Sequence, residues 1–338
     1  GGFYVEVIRR LAVLLVGPAA WLALVIAVAA ALSAVFTNDI VCLGLAPVLA
    51  DTCVRRRLDP VPYLLALACA SNIGSAATLI GNPQNMLIGS VLGLPFGAYV
   101  LQALPPVLAS LLLLWAWMAR SLAAPVAEGL SPVRRSEVLP AADDAEPPFD
   151  RWQTAKGLIV AAALMGVFLA TPWPRDVAAL VGAGVLLLSQ RFHSSRVMSL
   201  VDWELLVLFM GLFVVNHALQ ATGLLDAGVQ QLQAAGVRFG DPATLAGFAL
   251  VLSNLVSNVP AVMLLLPVTG GSDSGALLAL VSTLAGNLLI VGSIANIIVV
   301  DAARRHGIVI DWRRHARTGV PVTAGSLLLL AAWWAWRL

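Results

Sequence analysis

The sequence predicts an all-α polytopic membrane protein built from inverted repeats, each with a re-entrant hairpin and a broken transmembrane helix. Three observations predict it. The chain has 338 residues, 60% hydrophobic and 11% charged, with a mean hydropathy of +0.91, a composition suited to lipid rather than water. A bilayer-length apolar run is interrupted in its middle by Gly81-Asn82-Pro83-Gln84-Asn85. The chain then repeats that interruption around Gly292-Ser293.

The interruption has a local cause. Pro83 lacks an N–H and pushes Asn82 away from helical angles, and Gly81 adds backbone freedom. A break in mid-membrane exposes backbone groups that hydrocarbon cannot satisfy, so protein or a wet cavity must satisfy them. In transporters, such broken helices line the substrate site.

The elements follow in order. Residues 5–17 carry Glu6, Arg9 and Arg10 among apolar residues, which suits an interfacial helix. Residues 19–36 and 40–50 flank Thr37-Asn38-Asp39. The second of these arms, at about 15 residues, gives roughly 22 Å against a core of ~30 Å, so the pair reads as a re-entrant hairpin with Thr37-Asn38-Asp39 at its tip. Residues 61–80 and 84–92 form the first broken helix, and 98–119 return. Residues 157–170, 176–190 and 203–222 are further spans, and 224–236 are amphipathic. Residues 242–256 and 261–268 flank a second tip, Ser257-Asn258-Val259-Pro260. Residues 276–300 form the second broken helix, and 319–336 the last span, with Trp333, Trp334 and Trp336 as an interfacial belt.

This tracing divides the chain into a first repeat (1–119), a Pro-rich charged linker (120–156) and a second repeat (157–338). It puts nearly all Lys and Arg on one side; only Arg175, Arg238 and Arg337 fall outside. By the positive-inside rule the linker is cytoplasmic and the C-terminus lies on the outer side of an inner (plasma) membrane. An offset of 220 lays Thr37-Asn38 over Ser257-Asn258, and an offset of 211 lays Gly81, Asn82 and Asn85 over Gly292, Ser293 and Asn296. The first hairpin opens from the Arg-rich side and the second from the Arg-poor side, so the units are inverted, the signature of a secondary transporter. The same register leaves the first repeat without counterparts of the helices before Gly223, which implies N-terminal helices outside this chain.

Phe36-Thr37-Asn38-Asp39, Ser71-Asn72-Ile73-Gly74, Gly81-Asn82-Pro83-Gln84-Asn85, Ser257-Asn258-Val259-Pro260 and Val201-Asp202-Trp203-Glu204 resemble the motifs of the ion transporter superfamily. That group includes arsenite/antimonite permeases, NhaD-type sodium/proton antiporters, citrate–metal permeases, the melanosomal P-protein and the related divalent-anion:sodium symporters. The resemblance implies two hairpins and two broken helices meeting at one site, a scaffold part and a transport part, a homodimer and elevator-like movement. The symporters carry Ser-Asn-Thr at both tips. Here Thr37-Asn38-Asp39 puts a carboxylate at the first tip, which would repel a dianion and is closer to the arsenite and sodium/proton branches.

The candidate substrate- or ion-binding residues are Thr37, Asn38, Asp39, Asn72, Gly81, Asn82, Asn85, Ser257, Asn258, Gly292, Ser293 and Asn296, with Asn38, Asn85, Asn258 and Asn296 as candidate Na⁺ ligands. Helix N–H ends favour anions or hydroxyls, and carbonyl ends favour cations. No Lys or Arg lies at these depths. The site suits a neutral hydroxylated solute, a small anion escorted by cations, or a cation. Asp39 is the candidate proton or cation carrier, or else an N-cap. His217, Asn216, Asp202, Glu204 and Cys42 read as core or interfacial residues.

No enzyme constellation such as His-Glu-x-x-His is present. The expected function is secondary transport coupled to H⁺ or Na⁺, with no other cofactor. Arsenite/antimonite efflux leads; sodium/proton antiport and citrate or dicarboxylate transport are alternatives, and an ion channel is the rival class. The expected partners are a small inorganic or organic ion, the lipid bilayer and a second copy of the chain, with no nucleic acid.

Overall fold

A computed structural model describes residues 3–13, 17–123, 149–188 and 203–337. The described residues form fifteen α-helices and no strand. In the first half these are α1 (Phe3–Val13), α2 (Pro18–Val35), α3 (Asn38–Arg55), α4 (Pro60–Ser75), α5 (Pro83–Val91) and α6 (Phe96–Ala123). In the second they are α7 (Arg151–Ala170), α8 (Arg175–Leu187), α9 (Trp203–Ala221), α10 (Leu224–Ala234), α11 (Pro242–Val256), α12 (Asn258–Leu265), α13 (Gly271–Ala285), α14 (Ile294–Arg305) and α15 (Trp312–Arg337). Residues 124–148 of the expected linker, with Arg191, Arg196, Val201 and Asp202, lie outside the described residues.

Among the described residues, four helices are long and apolar enough to cross a membrane: α2, α6, α7 and α15. The first broken helix packs against α2, α6 and α15, and the second against α6 and α15. From Pro60 to Ser75, α4 is buried at all but one position, and α13 is buried throughout Gly275–Ala285. Small residues allow the close approach. A Cβ on Gly74 would sit 2.3 Å from the Ala30 Cα of α2. By contrast, α7 and α8 show most of their apolar side chains, including Leu180, Val181 and Ile159, as lipid- or partner-facing helices do.

Both expected breaks are present. α4 ends at Ser75 and α5 starts at Pro83, with Pro83 in the first turn and Asn82 as N-cap. α13 ends at Ala285, a short 3-10 turn covers Ile290–Gly292, and α14 starts after Ser293. α2 and α3 are joined through extended backbone at Phe36 and Thr37. α11 and α12 are joined at Ser257. The halves also diverge: Pro47 stays inside α3, whereas its counterpart Pro267 tightens the chain into a 3-10 turn over Leu266–Val268.

One reading needs correction. The second arm of the first hairpin is not short. α3 runs 18 residues to Arg55, roughly 27 Å at 1.5 Å per residue, because Asp51 and Thr52 continue the helix and the Thr52 hydroxyl donates to Val48 O (2.7 Å). The three C-terminal tryptophans differ in exposure. Trp336 is exposed, Trp334 is buried, and Trp333 Nε1 donates to Gln102 O (3.1 Å).

That last bond helps fix the relation of the halves. Trp333 meets Gln102, while Trp117 Nε1 donates to Arg317 O (3.3 Å). The equivalent helices α6 and α15 therefore run antiparallel, as inverted repeats require.

Candidate substrate site

At each break, one asparagine closes the gap. Asn85 Nδ2 donates to Ser75 O (3.5 Å) and Thr78 O (3.0 Å). Asn296 Nδ2 donates to Gly286 O (2.8 Å) and Leu289 O (3.0 Å). Ser75 and Thr78 fall over Gly286 and Leu289 at the same offset, 211, that lays Asn85 over Asn296. The two amides thus do the same work in the two halves: they satisfy carbonyls that the broken helix strands, in a place where leaving them unpaired is costly.

The oxygens of those amides face the other half. Asn85 Oδ1 accepts from Thr283 Oγ1 (3.2 Å), and Asn296 Oδ1 accepts from Asn72 Nδ2 (3.1 Å). Asn82 Nδ2 likewise donates to Thr283 Oγ1 (3.2 Å), and Ser293 Oγ donates to Asn72 Oδ1 (2.9 Å). Thr283 lies over Asn72, and Ser293 over Asn82. The pairing is reciprocal, as a twofold relation demands. Each half's helix end is tied to the other half's break.

Asn72 is the hub. Its amide donates to Asn287 Oδ1 (2.9 Å) and Asn296 Oδ1, and its oxygen accepts from Asn38 Nδ2 (2.9 Å) and Ser293 Oγ. These four bonds fill the capacity of a side-chain amide, and Asn72 is 1% exposed.

The tips reach the same centre. Asn38 N donates to Gly81 O (3.1 Å). With its amide turned so that nitrogen faces acceptors, Asn258 donates to Ser282 O (3.0 Å) and Gly292 O (3.3 Å). Each tip asparagine thus engages the glycine carbonyl of its own half's break. Thr37, Asp39 and Ser257 are half-buried beside these asparagines.

Of the candidate Na⁺ ligands, the Asn85 and Asn296 oxygens already accept from side-chain donors. Asn38 Oδ1 is buried with no hydrogen-bond partner, as is Asn254 Oδ1 next to Gly292. A buried acceptor without a donor is costly, and these two oxygens are unsatisfied acceptors beside the breaks.

Ser257 has φ 75° and ψ 161°, a combination open mainly to glycine and worth about 1–3 kcal/mol of strain. Its counterpart Thr37 is relaxed at φ −60°. Ser257→Gly is therefore expected to raise thermal stability, and Thr37→Gly to lower or leave it. Melting curves of the purified variants check this.

Sequence reasoning missed Thr283, Asn287, Asn254 and Tyr99. Tyr99, on α6, donates its hydroxyl to Ala76 O (2.8 Å) and accepts from Asn85 Nδ2 (3.1 Å). Carrying the 211-residue register upstream of Leu79 would have laid Thr283 over Asn72. Asn216 and His217, on α9, are half-buried and exposed, and Cys42 is a buried core residue.

A helical membrane protein whose buried centre is two broken helices cross-tied by neutral amides is a transporter by architecture. The chain belongs to the citrate transporter family, whose model matches residues 4–285. It is 32% identical over 330 residues to an uncharacterized transporter of Mycobacterium tuberculosis, covering 92% of this chain and 75% of that one. It is 28% identical over 369 residues to the silicon efflux transporter LSI3 of Oryza sativa subsp. japonica, covering 88% and 74%. It is 23% identical over 410 residues to a protein of Dictyostelium discoideum named "Putative transporter arsB", covering 88% and 72%. These relatives are named as transporters.

Proposed function

We propose that the chain is an elevator-type secondary transporter of a small polyhydroxylated oxyacid, with arsenite or antimonite efflux as the leading activity, coupled to H⁺ or Na⁺. The observation that carries this reading is the chemistry of the centre: amides, hydroxyls and backbone groups from both halves, with no Lys or Arg among them. Uncharged arsenous acid offers hydroxyls that both donate and accept, which matches amides that do the same. The names of the rice and Dictyostelium relatives, silicon efflux and arsB, are consistent with such a solute.

In this reading the α2–α3 and α11–α12 hairpins re-enter the membrane, two copies form a dimer in the inner membrane, and the linker is cytoplasmic. Thr37, Asn38, Asn82 and Asn258 meet the solute. Asn38 Oδ1 takes part in binding a coupling cation. Asp39, in the first turn of α3, carries the coupling proton or cation.

Citrate is the second reading, favoured by the family's description. It requires cations to travel with the substrate, because the site supplies no positive side chain.

Purified protein in liposomes, offered arsenite, citrate, succinate or Na⁺ under imposed pH and Na⁺ gradients, tests both. Saturable arsenite flux driven by a gradient is expected. Gradient-driven citrate flux with no arsenite flux would overturn the leading reading. Asp39→Asn is expected to slow gradient-driven flux at least about tenfold, equivalent to about 1.4 kcal/mol on the rate-limiting barrier. Unchanged coupled flux would remove Asp39 from the carrier role.

A further inference from the structure

The internal twofold relates the cross-ties at the centre, and one departure from it has chemical consequences. Tyr99 is the fourth residue of α6 and His315 the fourth of α15. Tyr99 donates to the carbonyl of Ala76 in the first break loop (2.8 Å). His315 Nε2 donates to the carbonyl of Asn287 in the second (3.0 Å). The 211-residue register lays Ala76 over Asn287, so the two side chains are counterparts: struts from the equivalent outer helices onto equivalent loop carbonyls. Both are buried, at 2% exposure. A Cβ on Gly319, one turn beyond His315, would meet the same Asn287 oxygen at 2.3 Å, so α15 grips this loop closely.

The two struts differ in one respect. A phenol stays neutral across the physiological range, while an imidazole gains a proton near pH 6–7. The surroundings of His315 decide what that proton does. Of the elements packed on α15, α4 has no charged residue, α6 has only Arg120, and α13 has only Asp273. Asp273 sits at the far end of α15, beside Arg337 (3.7 Å) and Gln102. The loop 286–293 has no charged residue. His315's own helix offers Arg313, Arg314 and Arg317. The one nearby acid, Asp311, is exposed and caps Arg314 N (2.7 Å). Among the described residues, a positive imidazolium at His315 would therefore be buried against the Asn287 carbonyl, with no buried carboxylate to pair it.

The ring donates to Asn287 O in either state, but an unpaired imidazolium is costly to bury. We propose that His315 is a pH-responsive strut: its protonation favours entry of water at the ring and loosens the second break loop, and with it the hold of Asn287 on Asn72, while Tyr99 keeps the first loop fixed. The consequence for the site follows from geometry, because Asn287 Oδ1 accepts one of the two hydrogen bonds that Asn72 donates. His315 is thus a positioning residue for one half of the centre, and it makes two otherwise matched halves respond differently to acid. This inference rests on the Asn72 cluster being the solute site, but its test does not require flux.

The test is hydrogen–deuterium exchange on the full chain in lipid nanodiscs, corrected for intrinsic exchange. In the wild type, amides of 286–293 are expected to exchange at least about fivefold faster at about pH 5.5 than at about pH 8, and those of 76–82 to change little. His315→Gln, which keeps an N–H donor but does not titrate, is expected to abolish the acid response. Tyr99→His is expected to confer one on 76–82. An acid response in His315→Gln equal to that of the wild type, or none in the wild type, would overturn the proposal. A chain that moves no tested solute yet shows this pattern would overturn the proposed solutes and leave the strut standing.

Discussion

Asn72→Ala is expected to lower stability by at least about 3 kcal/mol and to eliminate coupled transport. The side chain holds four hydrogen bonds at 1% exposure. Truncation orphans Asn38 Nδ2, Ser293 Oγ and the oxygens of Asn287 and Asn296 together. A buried polar group left without a partner costs about 1–3 kcal/mol, and relaxation or water would recover only part of the sum. Asn72→Asp should be no milder, since it replaces the donating nitrogen with an acceptor facing two amide oxygens. The twofold supplies an internal control. Asn72 with Asn296, and Thr283 with Asn85, are equivalent cross-ties. Double-mutant cycles on each pair should give coupling of the same sign, within about 0.5–3 kcal/mol. Zero coupling in both cycles, read by thermal unfolding in detergent, would mean the ties are incidental and the centre is held by packing alone.

The positions of the breaks were legible in the sequence because their causes are local. Gly81, Asn82 and Pro83 fall together, so the helix stops there, whereas Pro47 alone stays inside α3. The Asn82 and Asn85 side chains that repair the break lie within the same few residues. The tips were legible for the same reason. The cross-ties were not. Thr283 and Asn287 sit among ordinary apolar neighbours, and their roles exist only because the second half folds back antiparallel on the first. Tyr99 and His315 were still harder to see, since each begins a long span and acts on a loop of a different element. The length of α3 was misread because Asp51 and Arg55 looked like the edge of the membrane, whereas the helix simply continues into the polar region. Local chemistry thus locates the site, while the long-range symmetry that completes it needs coordinates.

That symmetry is broken at the two break glycines, and the break predicts unequal mutants. A Cβ on Gly81 would lie 2.2 Å from Ser75 O and 2.7 Å from Ser75 Cα. Both are backbone atoms at the end of the nearly fully buried α4, so neither can move aside. Its counterpart on Gly292 would meet Asn254 Oδ1 at 2.8 Å and Gly286 O at 3.2 Å. The closer of these is the end of a side chain, held by Leu250 O and Ala285 O but able to give more than backbone. Gly81→Ala is therefore expected to cost about 3 kcal/mol, the upper end for overpacking, and Gly292→Ala clearly less. The functional loss should follow the same order. Gly81 O accepts from Asn38 N (3.1 Å), so displacing residue 81 pulls the first tip from Asn72. Gly247→Ala, in α11 with open space around its Cβ, should stabilise by up to about 1 kcal/mol through helix propensity and controls for mutation at glycine as such. Melting temperatures and liposome flux for the three variants check the ranking. Gly292→Ala as damaging as Gly81→Ala would mean that Asn254 is held as rigidly as backbone, and that the second half is built to the same tolerance as the first.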